Sequence, residues 1–144
     1  MNQTSTIIKA LCLLLFPAAL WGQSAGDYRT AAAGPAAWST VASWETFDGT
    51  TWNAAVSAPT SANGVITIRT GHTINITASV AADQLVIESG ATLNNNSASA
   101  NLTINDGAGT DLTINGTYLL RSLNVLTNGG GTPTMEINGT MNWF

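Results

Sequence analysis

Charge is what this chain has least of. Only Lys9, Arg29, Arg69 and Arg121 are basic and eight residues are acidic, so 8% of the 144 residues carry charge, against about 25% in an average soluble domain. Helix faces would go without their usual ion pairs. Thr, Asn, Ser and Gly supply the polarity instead, and they favour strands and turns over helix interiors. The negative balance excludes a nucleic-acid ligand, whose phosphates need clustered Lys and Arg. Cysteine occurs once, at Cys12, and histidine once, at His72. One of each excludes a disulfide framework and a His/Cys metal site, and no cofactor is implied. Long apolar runs are missing too. The run over residues 10–20 contains Pro17 and falls short of the roughly 20 residues that a membrane-spanning helix needs.

That short run does have the dimensions of a signal-peptide core. Lys9 gives it a basic start, and the small residues Gly22 and Ser24 sit at the −3 and −1 positions of a cut before Ala25. Residues 1–24 are therefore expected to be a signal peptide, with a cut after Gly26 as the alternative. Cys12 does not mark a lipoprotein, because Leu11 stands where a small residue is wanted just before a lipidated Cys and no apolar run precedes it. The mature chain is then secreted, without Cys or Lys, and three Arg against eight acids give it a net charge of −5. With no membrane span, disulfide or evident metal, its core and its hydrogen-bonded ladder must hold it together.

Residues 25–62 differ from the rest of the mature chain. They hold Trp38, Trp44 and Trp52, together with Pro35 and Pro59. The run from Trp44 to Trp52 reads as a β-hairpin, with Phe47-Asp48-Gly49 as a three-residue loop and Gly49 in the left-handed position. This register puts Trp44 opposite Trp52, two large apolar rings on one face, and is preferred to a two-residue Asp48-Gly49 loop, which would put Glu45 there instead.

From residue 65 onward, apolar i, i+2 pairs recur: Ile66/Ile68, Ile74/Ile76, Leu85/Ile87, Leu102/Ile104, Leu112/Ile114, Leu123/Val125 and Met135/Ile137. Such alternation predicts strands with one buried face and one wet face. The pairs also repeat at longer range. Ile66-x-Ile68-x-x-Gly71-x-x-Ile74 matches Leu85-x-Ile87-x-x-Gly90-x-x-Leu93. Leu112-x-Ile114-x-Gly116-x-x-Leu119 is the same unit one residue shorter, and Met135-x-Ile137-x-Gly139 begins another. The copies start 19, 27 and 23 residues apart, the range of stacked-repeat architectures. Leu102–Ile104 and Leu123-Val125 supply a third strand between copies. The fold expected is all-β, a right-handed parallel β-helix with three short strands per coil over residues 63–144, capped by the Trp-rich segment 25–62. A sandwich of hairpins would leave the matched glycine spacing unexplained. The last copy is incomplete and no polar closing segment comes after it, so an open C-terminal edge and self-association through it are expected.

The runs Asp27-Tyr28-Arg29-Thr30, Ser43-Trp44-Glu45, Ala58-Pro59-Thr60-Ser61-Ala62-Asn63 and Ile66-Thr67-Ile68-Arg69-Thr70-Gly71-His72-Thr73-Ile74, with Trp38, resemble the N-terminal region of large secreted Gram-negative proteins exported by the type IX route. The Gly-His-Thr and Asn-Gly-Thr turns are similar to those of the eight-glycine domain of extracellular β-helix proteins. The resemblance spans the mature chain. It implies an exported β-helix at the cell surface or beyond it, used as an adhesin-like scaffold. The C-terminal sorting domain such cargo carries has no counterpart in this sequence.

Little in the chain points to catalysis. His72 falls in a slot that the repeat alignment shares with Ala91, Thr117 and Thr140, which marks a turn position, and no Ser-His-Asp set can be built around it. Asp83, Glu88, Asp106, Asp111 and Glu136 are the carboxylates that glycoside hydrolysis could draw on. Glu88 aligns with Arg69 and is expected to pair with it. Asp106 and Asp111 lie in a Gly-rich bend that suits a solvated turn better than a calcium ion with its 6–8 oxygen ligands. A fragment of a β-helix polysaccharide lyase is the enzymatic alternative, but such an enzyme wants a strong base, often Lys or Arg, beside a cation, and the mature chain has no Lys and no dense acid cluster. The expected role is therefore non-enzymatic. Trp38, Trp44 and Trp52 are the candidate binding residues, a stacking platform for a polysaccharide or cell-surface glycan, or else the cover of the core's open end. Thr67, Thr103 and Thr113 lie between apolar pairs, but Asn, Val and Glu share those positions, so no threonine lattice is read there.

Overall fold

The computed structural model describes residues 22–95, 97–121 and 132–144. Most of the expected signal segment and the Leu123-Val125 strand lie outside the described residues.

The chain is all-β with parallel sheets. The N-terminal segment supplies β1 (Tyr28–Thr30), β2 (Ala36–Ala37), a 3-10 turn (Val41–Ser43), β3 (Trp44–Phe47) and β4 (Trp52–Ala54). The repeats then supply β5 (Val65–Ile68), β6 (Thr73–Asn75), β7 (Val80–Ala82), β8 (Gln84–Ile87), β9 (Thr92–Asn95), β10 (Leu102–Ile104), β11 (Leu112–Ile114), β12 (Thr117–Leu120), β13 (Met135–Ile137) and β14 (Thr140–Trp143). One sheet runs β13-β11-β8-β5-β1-β3-β4, a second runs β14-β12-β9-β6-β2, and β10 pairs with β7.

The repeat alignment is met residue for residue in the first sheet. Ile66 pairs with Leu85, Leu85 with Leu112 and Leu112 with Met135, all parallel. Parallel pairing between repeats excludes the hairpin sandwich. The inward members Ile66, Ile68, Leu85, Ile87, Leu112 and Ile114 are fully buried, each contributing about 1.5–3 kcal/mol on transfer from water. Met135 and Ile137 stand in the same columns but are 47% and 48% exposed, because among the described residues β13 has a strand neighbour on one side only.

Three sequence expectations need correction. The N-terminal segment is more than a cover: β1 and β2 pair in parallel with β5 and β6, so Tyr28 stands in the Ile66 column and Ala36 in the Ile74 column. Next, the hairpin forms with its register shifted. Phe47, not Trp44, faces Trp52, because Asp48 sets a longer loop by accepting the Thr50 and Thr51 N–H groups at 2.8 Å each. Gly49 does take the left-handed conformation (φ 103°). Finally, the third copy is shorter by two residues rather than one. Tyr118 fills the Leu93 slot, and Leu119 points outward beside Asn94. The glycines accordingly play two parts. Gly71 and Gly90 turn the longer corners with φ of 78° and 75°. Gly116 instead permits close approach: a Cβ there would lie 2.2 Å from the Glu88 carbonyl oxygen and 2.5 Å from that of Ala91.

Candidate functional site

Alternation along β1 and β5 turns Tyr28, Thr30, Ile66 and Ile68 inward and leaves Arg29, Thr67 and Arg69 on the outer face of the first sheet. The hairpin stands at the edge of that face. Between them runs a groove of about 430 Å³, whose walls include Arg29, Trp52, Thr67, Arg69, Glu88 and Thr113. Its centre is Arg29. The Arg29 Nε donates to Glu45 Oε2 at 2.6 Å, as their direct cross-strand pairing allows. The guanidinium lies 4.3 Å from the centroid of the Trp52 ring, within cation–π range. Arg69 shares the same Glu45 oxygen more loosely, at 3.7 Å. Trp52 also packs on Phe47 (5.2 Å between centroids) and donates from Nε1 to Gln23 Oε1 at 3.2 Å. The groove can therefore offer guanidinium donors, hydroxyls and an aromatic edge, which suits hydrogen-bonded recognition.

The three tryptophans expected to form one platform do not come together. Trp38 and Trp44 are 2% and 1% exposed and meet edge to face at 5.0 Å. Their indole N–H groups donate to the carbonyls of Pro59 (3.1 Å) and Trp38 (2.7 Å). Buried rings with satisfied N–H groups have no face for a sugar, so these two close the end of the core. Trp52 alone of the three presents surface to the groove.

The Arg69–Glu88 pair expected from the repeat alignment is not formed. Glu88 Oε2 accepts the Thr70 backbone N–H at 2.8 Å instead. His72 does share its slot with Ala91, but Gly116 and Gly139 hold that slot in the later repeats, one residue before the threonines expected there. Burial and the neighbouring Arg69 hold the imidazole pKa below its usual value, and Nδ1 has no partner among the described residues. Burial pushes the Tyr118 phenol up to about 12.

Among the described residues no three His, Cys, Asp or Glu side chains gather as a metal site. Several carboxylates serve the backbone instead, Glu88, Asp111 and Asp27 among them. Asp111 is fully buried; Oδ1 accepts from Gly107 N–H (2.8 Å) and Oδ2 from Thr134 N–H (2.7 Å). Its burial works to raise the pKa, but these hydrogen bonds outweigh it and hold the carboxyl below its usual range. Asp27 occupies the equivalent slot before β1 and likewise accepts backbone N–H groups, those of Ser24 and Val65, at 2.8 and 2.9 Å. Each aspartate immediately precedes the first inward residue of its strand, Tyr28 or Leu112, and ties that strand to the next repeat. Sequence reasoning misses both this clip and the Arg29–Glu45–Trp52 cluster. An Asp just before an apolar pair is the signal for the first, and the outward parity of Arg29 is the signal for the second.

A scan against protein-family models finds no match, and searches of the curated proteins and of the solved structures find none.

Proposed function

We propose that the chain is a non-catalytic extracellular module, a right-handed parallel β-helix of short coils under an aromatic cap, acting as an adhesin-like scaffold at the cell surface or beyond it. The observation that carries this reading is the shared register of the two main sheets. Ile66–Leu85–Leu112–Met135 and Ile74–Leu93–Tyr118–Met141 are parallel columns that advance one repeat per strand, and the parallel pair β7–β10 supports a third strand per coil. Stacked coils make a stiff rod whose outer residues are free to vary, the property a spacer or display module needs. The type IX resemblance and the expected signal peptide support the location.

A second reading, glycan binding, is favoured by the Trp52–Arg29 groove rather than by Trp38 and Trp44. The scaffold reading is tested by fractionating the native cells and probing with an antibody to residues 25–62. The expected result is antigen in the medium or on the outer surface, starting near Ala25. Antigen confined to the cytoplasm with Met1 intact would overturn it.

A further inference from the structure

The second sheet carries an order that the spaces between apolar pairs do not disclose. Its strands β6, β9, β12 and β14 each begin on a threonine, and the pairing sets Thr73, Thr92, Thr117 and Thr140 side by side. Two residues on, Asn75, Asn94, Leu119 and Asn142 form a parallel column. Ile74, Leu93 and Tyr118 lie between the columns and are buried, so both columns face outward. Rows in such a sheet stand about 4.8 Å apart, and residues i and i+2 about 6.6–6.8 Å apart.

The grid is rigid, uncharged and unsatisfied. No Asp, Glu, Lys or Arg occupies either column. The four threonine hydroxyls make no hydrogen bond to other described residues, and β-branching confines each side chain at χ1. The neighbouring column is pinned where Asn94 Nδ2 donates to Asn75 Oδ1 at 3.1 Å.

A partner that uses such a grid must itself repeat in two dimensions at these spacings, carry no charge, and both donate and accept hydrogen bonds. A charged polymer would find no counter-charge in the two columns. A crystalline glucan would want aromatic platforms, and the columns contain only Thr, Asn and Leu. An ice surface meets every condition: its oxygen repeats lie close to both spacings, and each water donates and accepts. Threonine suits it doubly, since the hydroxyl can join the lattice while the methyl excludes liquid water. We infer that the outer face of the second sheet, centred on Thr92 and Thr117, binds ice. Ice binding at this face does not depend on the scaffold reading.

The test uses the purified full chain. Its suppression of ice recrystallisation is measured beside thermal hysteresis. The expected result is suppression at micromolar protein. Thr92→Lys and Thr117→Lys, in the middle of the grid, should each raise the concentration needed by about tenfold or more, equivalent to about 1.4 kcal/mol of adsorption. Thr103→Lys, on the two-stranded sheet, should leave it unchanged. Circular dichroism establishes that each variant is folded. If a lysine variant fails to fold, Thr92→Ser removes one methyl and should weaken suppression in the same direction. No suppression by the folded chain, or equal loss in Thr103→Lys, would overturn the inference. So would Thr92-dependent pelleting with crystalline chitin or cellulose without any effect on ice.

Discussion

In the repeats each strand's backbone groups pair with a parallel neighbour 19 to 27 residues away, and the buried columns are filled mainly by Ile and Leu. The hairpin segment works differently. β3 pairs antiparallel on both sides, with β1 and β4. Large rings and side-chain hydrogen bonds fix its shape there: Trp38 on Trp44, Phe47 on Trp52, and Asp48 gathering the loop N–H groups. A ladder can lengthen by repetition because its slots accept Ile and Leu alike. An end closure cannot, because it must match one exposed cross-section, and two interlocked indoles do so. Affinity for a small ligand is expected at the closure, where residue types are unique. Affinity for a lattice is expected on the ladder, where they recur.

The sharpest way to break this contrast is to remove one ring from each side of the hairpin. Trp44→Ala empties a fully enclosed site and should cost about 3–5 kcal/mol, the usual range for losing a buried large aromatic. Trp52→Ala removes the stack on Phe47, the cation–π contact with Arg29 and an exposed hydrogen bond to Gln23, together worth about 1 kcal/mol. Urea denaturation of both variants measures the two values. If Trp52→Ala were the more damaging, the closure would lie on the groove side and not in the Trp38–Trp44 pair. If Trp52→Ala stays folded and abolishes fluorescence quenching by a glycan that the parent binds, the groove is the glycan site.

How far the sequence speaks for itself differs between the same two regions. The columns of the first sheet are legible because period-two alternation and a constant Ile-to-Gly spacing report one geometry twice. The expected pairing Ile66–Leu85–Leu112 is the observed one. Where the repeat shortens, spacing misleads. Gly116 sits two residues after Ile114, whereas Gly90 sits three after Ile87. Aligning the glycines displaces Tyr118 by one position and hides the threonine column. The hairpin register is not legible because it depends on the Asp48 side chain capping its own loop, an interaction without periodicity. Arg29 and Glu45 are 16 residues apart, and only the antiparallel β1–β3 pairing brings them together.

The two kinds of glycine sharpen the comparison within the repeats. An added methyl at Gly71 meets open space and must only tolerate φ of 78°, a penalty of about 1–2 kcal/mol for an L-residue in the left-handed region. At Gly116 the methyl meets backbone oxygens at 2.2 and 2.5 Å, and neither is a side-chain tip that can swing away. Gly116→Ala should therefore destabilise at least as much as overpacking of a core does, about 1–3 kcal/mol, and more than Gly71→Ala. Thermal unfolding of the two variants decides the order. The reverse order would mean that the third repeat yields more readily than the first.

The smallest effect expected is on acid stability, and it again separates the two regions. Asp48 in the hairpin loop and Asp111 in the repeats both have carboxyls held below the usual value of 3.8. The backbone N–H of Thr51, together with the Thr50 groups, does this for Asp48; for Asp111 the Thr134 and Gly107 N–H groups overcome the opposing effect of burial. A carboxyl with a depressed folded-state pKa stabilises the fold fully above its unfolded value and loses that contribution as pH falls through the folded value. Both contributions should therefore hold at neutral pH and fade only below about pH 4. Asp48 is exposed, and its loss loosens one loop. Asp111 ties β11 to the start of β13 from a fully buried position, so its protonation should open the end of the ladder. Amide exchange at Thr134 and Met135 should accelerate first as pH is lowered, while loosening at Thr50 and Thr51 should leave global stability almost unchanged. Asp111→Asn should remove most of the acid dependence at the β13 end, since a neutral amide does not titrate. A variant that kept the full acid response there would assign it to another carboxylate and leave Asp111 as packing alone.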